Sequence, residues 1–169
     1  MNAKLYQLCL PSEVLRRGFW LNVWRIKLRH GGEVFYVGRT GDSSSRNAQS
    51  PFSRVSGHLG PNKRANALQS HLEKHKIKLA ECEGLELVTY GPLFYEDEAQ
   101  HRHFRDKTAA LERDLCYGMR RVGYQVLNCV RSRKKSAPDE LRRVLSAFAE
   151  SFPALKAEHP IAENRELIR

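Results

Sequence analysis

The sequence predicts an α/β chain of the α+β kind: a small, mainly antiparallel three-stranded sheet flanked by helices, with a C-terminal helical extension. Three observations predict it. Residues 22–29 and 33–39 alternate in the period of two that marks half-buried strands, with Gly31-Gly32 between them, and residues 85–90 form a third alternating run. The stretches 51–59, 66–79, 96–122 and 136–153 instead carry apolar residues at helical spacing.

The chain opens with a short helix over Ser12–Gly18, expected to pack outside the hairpin. In the first strand Trp24, Ile26 and Leu28 share one face while Arg25, Lys27 and Arg29 share the other. Gly31-Gly32 permits the positive φ of a tight turn, and Tyr36 shares a face with Val34 and Gly38. Residues 42–51 are rich in turn formers and read as a loop, at whose end Ser50 caps a helix with Pro51 in its first turn. That helix is expected to turn Phe52, Val55 and Leu59 inward. Arg54 and His58, four apart, then share one of its faces.

Residues 60–64 break this helix, and 66–79 read as the next, with Leu68, Leu72 and Ile77 or Leu79 apolar. The cations Lys63, Arg64, Lys74, Lys76 and Lys78 read equally as a face that contacts a phosphate backbone and as an ordinary solvated surface. The third strand, Leu85–Tyr90, is expected to stop at Gly91-Pro92. The longest helix, Glu96–Val122, has Glu96, Asp97 and Glu98 in its first turn, where the helix dipole favours acids, and Gly123 at its end. Its stripe is Phe104, Leu111, Leu115, Met119 and Val122, and Glu112 lies on the border of that stripe, a placement that suits a carboxylate lining a cleft.

Residues 123–128 leave this helix through a turn and an extended segment that can return Asn128 to the hairpin. A basic linker with Arg131, Arg133, Lys134 and Lys135 follows. Ser136 with Asp139 marks the start of a last helix, whose stripe Leu141, Val144, Leu145, Phe148 and Phe152 ends near Pro153. This helix either packs on the core or mediates self-association. The expected division is residues 1–130 as the main domain and 131–169 as linker and helical extension.

At 169 residues the chain suits one core with a short appendage. With 29 Lys and Arg against 19 Asp and Glu, its net charge is +10 and its pI near 9.7, which favours a polyanionic partner, nucleic acid first. Cys9, Cys82, Cys116 and Cys129 form no C-x-x-C pair, and without a secretory signal they read as reduced thiols of a cytoplasmic protein. His101, His103, Cys116 and Cys129 fit no common zinc spacing. No apolar run approaches the roughly 20 residues needed to span a bilayer.

Tyr36-Val37-Gly38, preceded by Asn22-Val23-Trp24, resembles the paired tripeptides that open the GIY-YIG nuclease domain. Arg54, with His58 one helical turn on, resembles that family's arginine and histidine; Glu112 resembles its metal-binding glutamate, and Asn128 its terminal asparagine. The set runs in the right order and covers about residues 20 to 130. Arg46 is a rival for the arginine, closer to Tyr36 but with no histidine four residues on.

The resemblance implies a metal-dependent endonuclease acting on double-stranded DNA, with Mg²⁺ or Mn²⁺ held by Glu112 and completed by phosphate oxygens and water. It implies that Arg54 holds phosphate, that His58 contacts phosphate or relays a proton, that Asn128 positions the glutamate or the metal's water, and that Tyr36 orients or deprotonates the attacking water. Trp24 stands where the family has tyrosine, and Asn22 where it has glycine. Indole cannot accept a proton, so any role shared by two tyrosines falls on Tyr36 alone. The alternative reading is therefore a nucleic-acid-binding module on the same fold with weak or no catalysis.

Overall fold

The computed structural model describes residues 3, 5, 7–41, 48–59 and 66–158. Its centre is β1 (Phe19–Leu28), flanked by β2 (Glu33–Arg39) and β3 (Cys82–Phe94), both antiparallel to it, in the order β2-β1-β3. Among the described residues the helices are α1 (Pro51–Leu59), α2 (Ala67–Lys74), α3 (His101–Arg121) and α4 (Pro138–Ala149). The α+β class with a C-terminal helix is thus as the sequence predicts.

The hairpin has the expected register, with Trp24 opposite Tyr36 and Asn22 opposite Gly38. Gly31 and Gly32 turn the chain at φ 90° and 86°, a region that side chains with a Cβ rarely adopt. β1 begins earlier than its alternation indicates, at Phe19, and is buried without a break from Phe19 to Trp24. Helices cover both faces of the sheet there, so neither set of alternating side chains reaches solvent.

On one face Trp24, Ile26, Val34 and Tyr36 pack with Leu68 and Leu72 of α2 and with Val55 of α1. On the other, Leu21, Val23, Phe35 and Val37 pack with Leu111, Leu115 and Met119 of α3, and with Val144, Phe148, Phe152 and Leu155. Each such side chain contributes about 1.5–3 kcal/mol by leaving water. α4 and the 3-10 turn Pro153–Glu158 therefore complete the main core, and the apolar stripe considered for self-association is the one that faces the sheet.

Arg25, on the same side, reaches across this layer. It donates to the Ser151 carbonyl, pairs with Glu86 at 2.7 Å and lies 4.9 Å over the Phe152 ring.

Several local expectations change. Ser12–Leu15 is a 3-10 turn, shorter than the helix read from the sequence. α1 begins at Pro51 with Ser50 as expected, the Ser50 Oγ accepting from Ser53 N at 3.1 Å, yet it is rotated. Phe52 and Leu59 are exposed, whereas Pro51 and His58 are buried and Val55 packs inward.

α2 starts at an Asn66 cap, whose Oδ1 accepts from Gln69 N at 3.0 Å, but ends at Lys74; Lys76 turns to φ 59°, and Leu79 is exposed. β3 runs through Gly91-Pro92 to Phe94. It is an edge strand whose pairing shifts register between Phe19 and Leu21, a position where a missing N–H is tolerated.

α3 starts five residues later than expected. Glu96 instead accepts from Ala48 N at 3.1 Å and pairs with Arg17 at 3.2 Å, while Asp97 Oδ1 accepts from Ala99 N and Gln100 N in the turn before the helix. Ala137, not Ser136, precedes α4, and no side chain caps that helix. Ser136 bonds Asp114 of α3 instead.

Candidate functional site

Tyr36 projects from β2 onto the face covered by α1 and α2, and is 7% exposed. Two residues on, Gly38 lies beside it: a Cβ there would stand 3.2 Å from the ring's Cε1. A side chain at position 38 would crowd the phenol, which gives the Tyr-x-Gly spacing a packing reason. Opposite Gly38, Asn22 is buried, and its Oδ1 accepts from Thr89 Oγ1 at 2.8 Å.

α1 brings His58 to this face because its inward side carries Pro51, Val55 and His58 rather than the apolar residues at 52 and 59. The His58 ring lies 5.6 Å from that of Tyr36 and 6.3 Å from that of Trp24, edge-on to both. Trp24 is 4% exposed and shares the face across the hairpin. Arg54 is half-buried, one helical turn before His58. Trp24, Tyr36 and His58 therefore cluster, with Arg54 on the helix that delivers His58.

His71 joins them from α2, 5.5 Å from the Tyr36 ring, although the sequence reading did not single it out. Its signal is position: it precedes Leu72 by one and follows Leu68 by three, so it borders the buried stripe of α2. Burial, then the charges of Lys74 and His75, push its pKa below the ordinary histidine value; the Leu127 carbonyl acts in the opposite direction. His71 is held towards its neutral form, able to accept a proton or a hydrogen bond.

Glu112 approaches from the other face. Its Oε2 accepts from Arg39 Nε at 2.8 Å, with side chains 12% and 14% exposed, and Arg39 also donates to the Gly41 carbonyl at 3.3 Å. Arg39 alternates with Tyr36 and Gly38 along β2, so this ion pair lies on the α3 side while Tyr36 points to the α1 side. Both lie towards the C-terminal end of β2.

Asn128 bonds the backbone of β2. Its Oδ1 accepts from Val37 N at 3.0 Å and its Nδ2 donates to Val37 O at 2.6 Å, continuing a parallel bridge between Phe35 and Val126. The segment 125–128 so closes the open edge of β2, and Arg120 and Cys116 donate to the Asn128 carbonyl. Asn128 acts on the backbone next to Tyr36.

Of the basic residues, Lys74, Lys76 and Lys78 are exposed at and beyond the end of α2, and Arg131, Arg133, Lys134 and Lys135 are exposed between Asn128 and α4. Lys63, Arg64 and Arg46 lie outside the described residues. A cleft of about 330 Å³ between β3 and α4, lined in part by Tyr90, Phe94, Glu140 and Arg143, contains none of the residues around Tyr36. All four cysteines are free thiols.

Among the described residues no three His, Cys, Asp or Glu side chains stand together as a metal cluster. Glu112 supplies one carboxylate, already shared with Arg39. That fits only a hard cation which keeps most of its water and shares the carboxylate with the guanidinium, as Mg²⁺ does with one or two carboxylates. Among the described residues no helix is long and apolar enough to cross a membrane. Comparisons with protein-family models, with curated proteins and with solved structures gave no significant match.

Proposed function

We propose that the protein is a metal-dependent endonuclease that hydrolyses phosphodiester bonds in double-stranded DNA. The observation that carries this reading is the contact of one phenol, Tyr36, with two imidazoles, His58 and His71, beside the helix that bears Arg54. A net charge of +10 supports a polyanionic substrate.

Phosphodiester hydrolysis needs an activated water, neutralisation of charge growing on phosphate and a stabilised leaving oxygen, and enzymes supply rate factors of about 10¹⁵ or more for the slowest such reactions. Arg54 binds the phosphate by a charged fork. Tyr36 orients the attacking water and takes its proton. A free phenol of pKa about 10 is ionised only about one part in a thousand at pH 7, a deficit of roughly 4 kcal/mol that positive charge brought to the site would have to offset. His58 contacts the phosphate or relays a proton to the leaving oxygen. Asn128 fixes the backbone of Val37, and with it the strand that aims Tyr36. Mg²⁺ or Mn²⁺, held by Glu112 on the α3 side of the same strand, would supply further positive charge.

A second reading has one observation in its favour. Trp24 is buried where a second phenol would complete the site, and indole offers no base. On that reading the protein binds DNA without cutting it.

Supercoiled plasmid incubated with Mg²⁺, Mn²⁺ or EDTA tests both. The nuclease reading expects nicking that EDTA abolishes and that Tyr36→Phe and Arg54→Ala each reduce at least 100-fold, on the scale of a lost acid–base or charge-stabilising group. Binding without cleavage in any metal supports the second reading; loss of both overturns the two together.

A further inference from the structure

Glu112, Arg113 and Asp114 follow one another on α3, and the last two face away from β2 towards the stretch that connects Asn128 to α4. Arg113 Nε and Nη2 both engage Asp114 Oδ1, at 2.8 and 2.7 Å, while its Nη1 donates to the carbonyls of Ser132 at 2.9 Å and Lys134 at 2.8 Å. Asp114 is 7% exposed, and its Oδ2 accepts from Ser136 Oγ. Lys134 N donates to Ser132 Oγ at 3.2 Å. The backbone from 132 to 136 is therefore bound to α3 at several points, yet Arg131, Arg133, Lys134 and Lys135 all remain exposed.

A buried carboxylate is costly unless paired and fully hydrogen-bonded, and here the groups that complete its pairing serve to hold a solvent-facing basic segment. Four cations of one sign on a loop repel one another, and an unbound loop would relieve that by moving. This one is held. Its start is also placed: Asn128, three residues before Arg131, is clamped to Val37 in β2.

We propose that Arg131–Lys135 is a preset track for the phosphate backbone of duplex DNA leaving the site, and that Arg113, Asp114 and Ser136 are the latch that sets it. The track rests on the DNA reading above, but it does not require cleavage. A segment already ordered loses less conformational freedom on binding, so the latch acts on affinity without adding charge. The four cations act through counterion release, which fixes the salt dependence.

Fluorescence anisotropy with an uncut duplex in EDTA, from 50 to 200 mM salt, separates the two parts. Replacing Arg131, Arg133, Lys134 and Lys135 by Gln should flatten the log K against log salt line by a little under one unit per lost phosphate contact. Ser136→Ala and Asp114→Asn should each weaken binding about tenfold while leaving that slope unchanged, because every cation remains. Ser136→Ala removes one hydroxyl and is checked for folding by its circular dichroism and melting temperature. An unchanged slope in the charge variant, or wild-type affinity in a folded Ser136→Ala protein, overturns the track. Tighter binding to an RNA duplex of the same sequence overturns the commitment to DNA. Wild-type protein that follows the expected slopes but cuts no DNA supports the track and overturns the nuclease reading.

Discussion

Tyr36 and His58 meet edge-on across the α1 side of the sheet, ring centroids 5.6 Å apart and planes at 68°. One comes from β2 and the other from α1, and their meeting decides how α1 lies. Its His58 faces the sheet beside Val55 and Pro51, while Phe52 and Leu59 face solvent. A helix that turns its apolar residues outward forgoes burial free energy, on the order of 1.5–3 kcal/mol for each large side chain. Such an exchange is expected where function places polar groups inside.

Glu112→Gln should abolish cleavage while leaving DNA affinity near wild type, whereas Glu98→Gln, on an exposed turn, should leave cleavage unchanged. The Arg39 guanidinium then loses its charged partner in a site only 14% exposed, so the variant should also lose about 2 kcal/mol of stability. Urea denaturation beside the plasmid assay measures both, and equal loss of cleavage in the two variants would remove Glu112 from the site.

Asn128→Ala should destabilise the fold by about 3 kcal/mol, because it leaves the buried Val37 N–H and C=O without the bonds of 3.0 and 2.6 Å that close the edge of β2. Asn128→Asp keeps the acceptor but, when ionised, cannot donate, and should fall between. Hydrogen exchange at Val37 is the direct readout. Wild-type protection in Asn128→Ala would exclude the clamp.

His71 makes stability depend on pH with a definite sign. Its folded pKa lies below the ordinary value of 6.5, chiefly through burial. Between the folded pKa and 6.5 the unfolded chain therefore binds more protons than the folded one, so stability is complete above about pH 6.5 and is lost as pH falls through that window. The groups facing His71 are Tyr36 from β2, whose ring also meets His58, Lys74 on its own helix, His75 just beyond it, and the Leu127 carbonyl. His71→Gln should flatten the fall of melting temperature between pH 6.5 and 5. An unaltered slope would show that another group carries it.

Phe148→Ala should cost about 3–5 kcal/mol, as for a large side chain removed from a closed core, since Phe148 is 1% exposed and packs with residues from the sheet and α3. A chain ending before α4 should for the same reason fail to fold cooperatively. A sharp melt of the chain cut after residue 135 would mean that α4 is dispensable.

The hairpin register was legible in the sequence because a strand's period of two leaves one pairing that buries Trp24, Ile26 and Tyr36 together, and Gly31-Gly32 marks its turn. The α3 stripe of Leu111, Leu115 and Met119, the Ser50-Pro51 start of α1 and the return of Asn128 to the hairpin were legible for similar local reasons. Tertiary structure alone decided the rest. It turned α1 so that His58 rather than Phe52 is buried, and brought His71 to Tyr36 from a helix 35 residues away in sequence. It also set Glu112 on Arg39 across the sheet and made Ser136 a ligand of Asp114 instead of a helix cap. Periodicity reports which faces of an element differ from one another. Which face turns inward, and which polar groups meet there, depends on what the neighbouring elements offer once both sides of the sheet are covered.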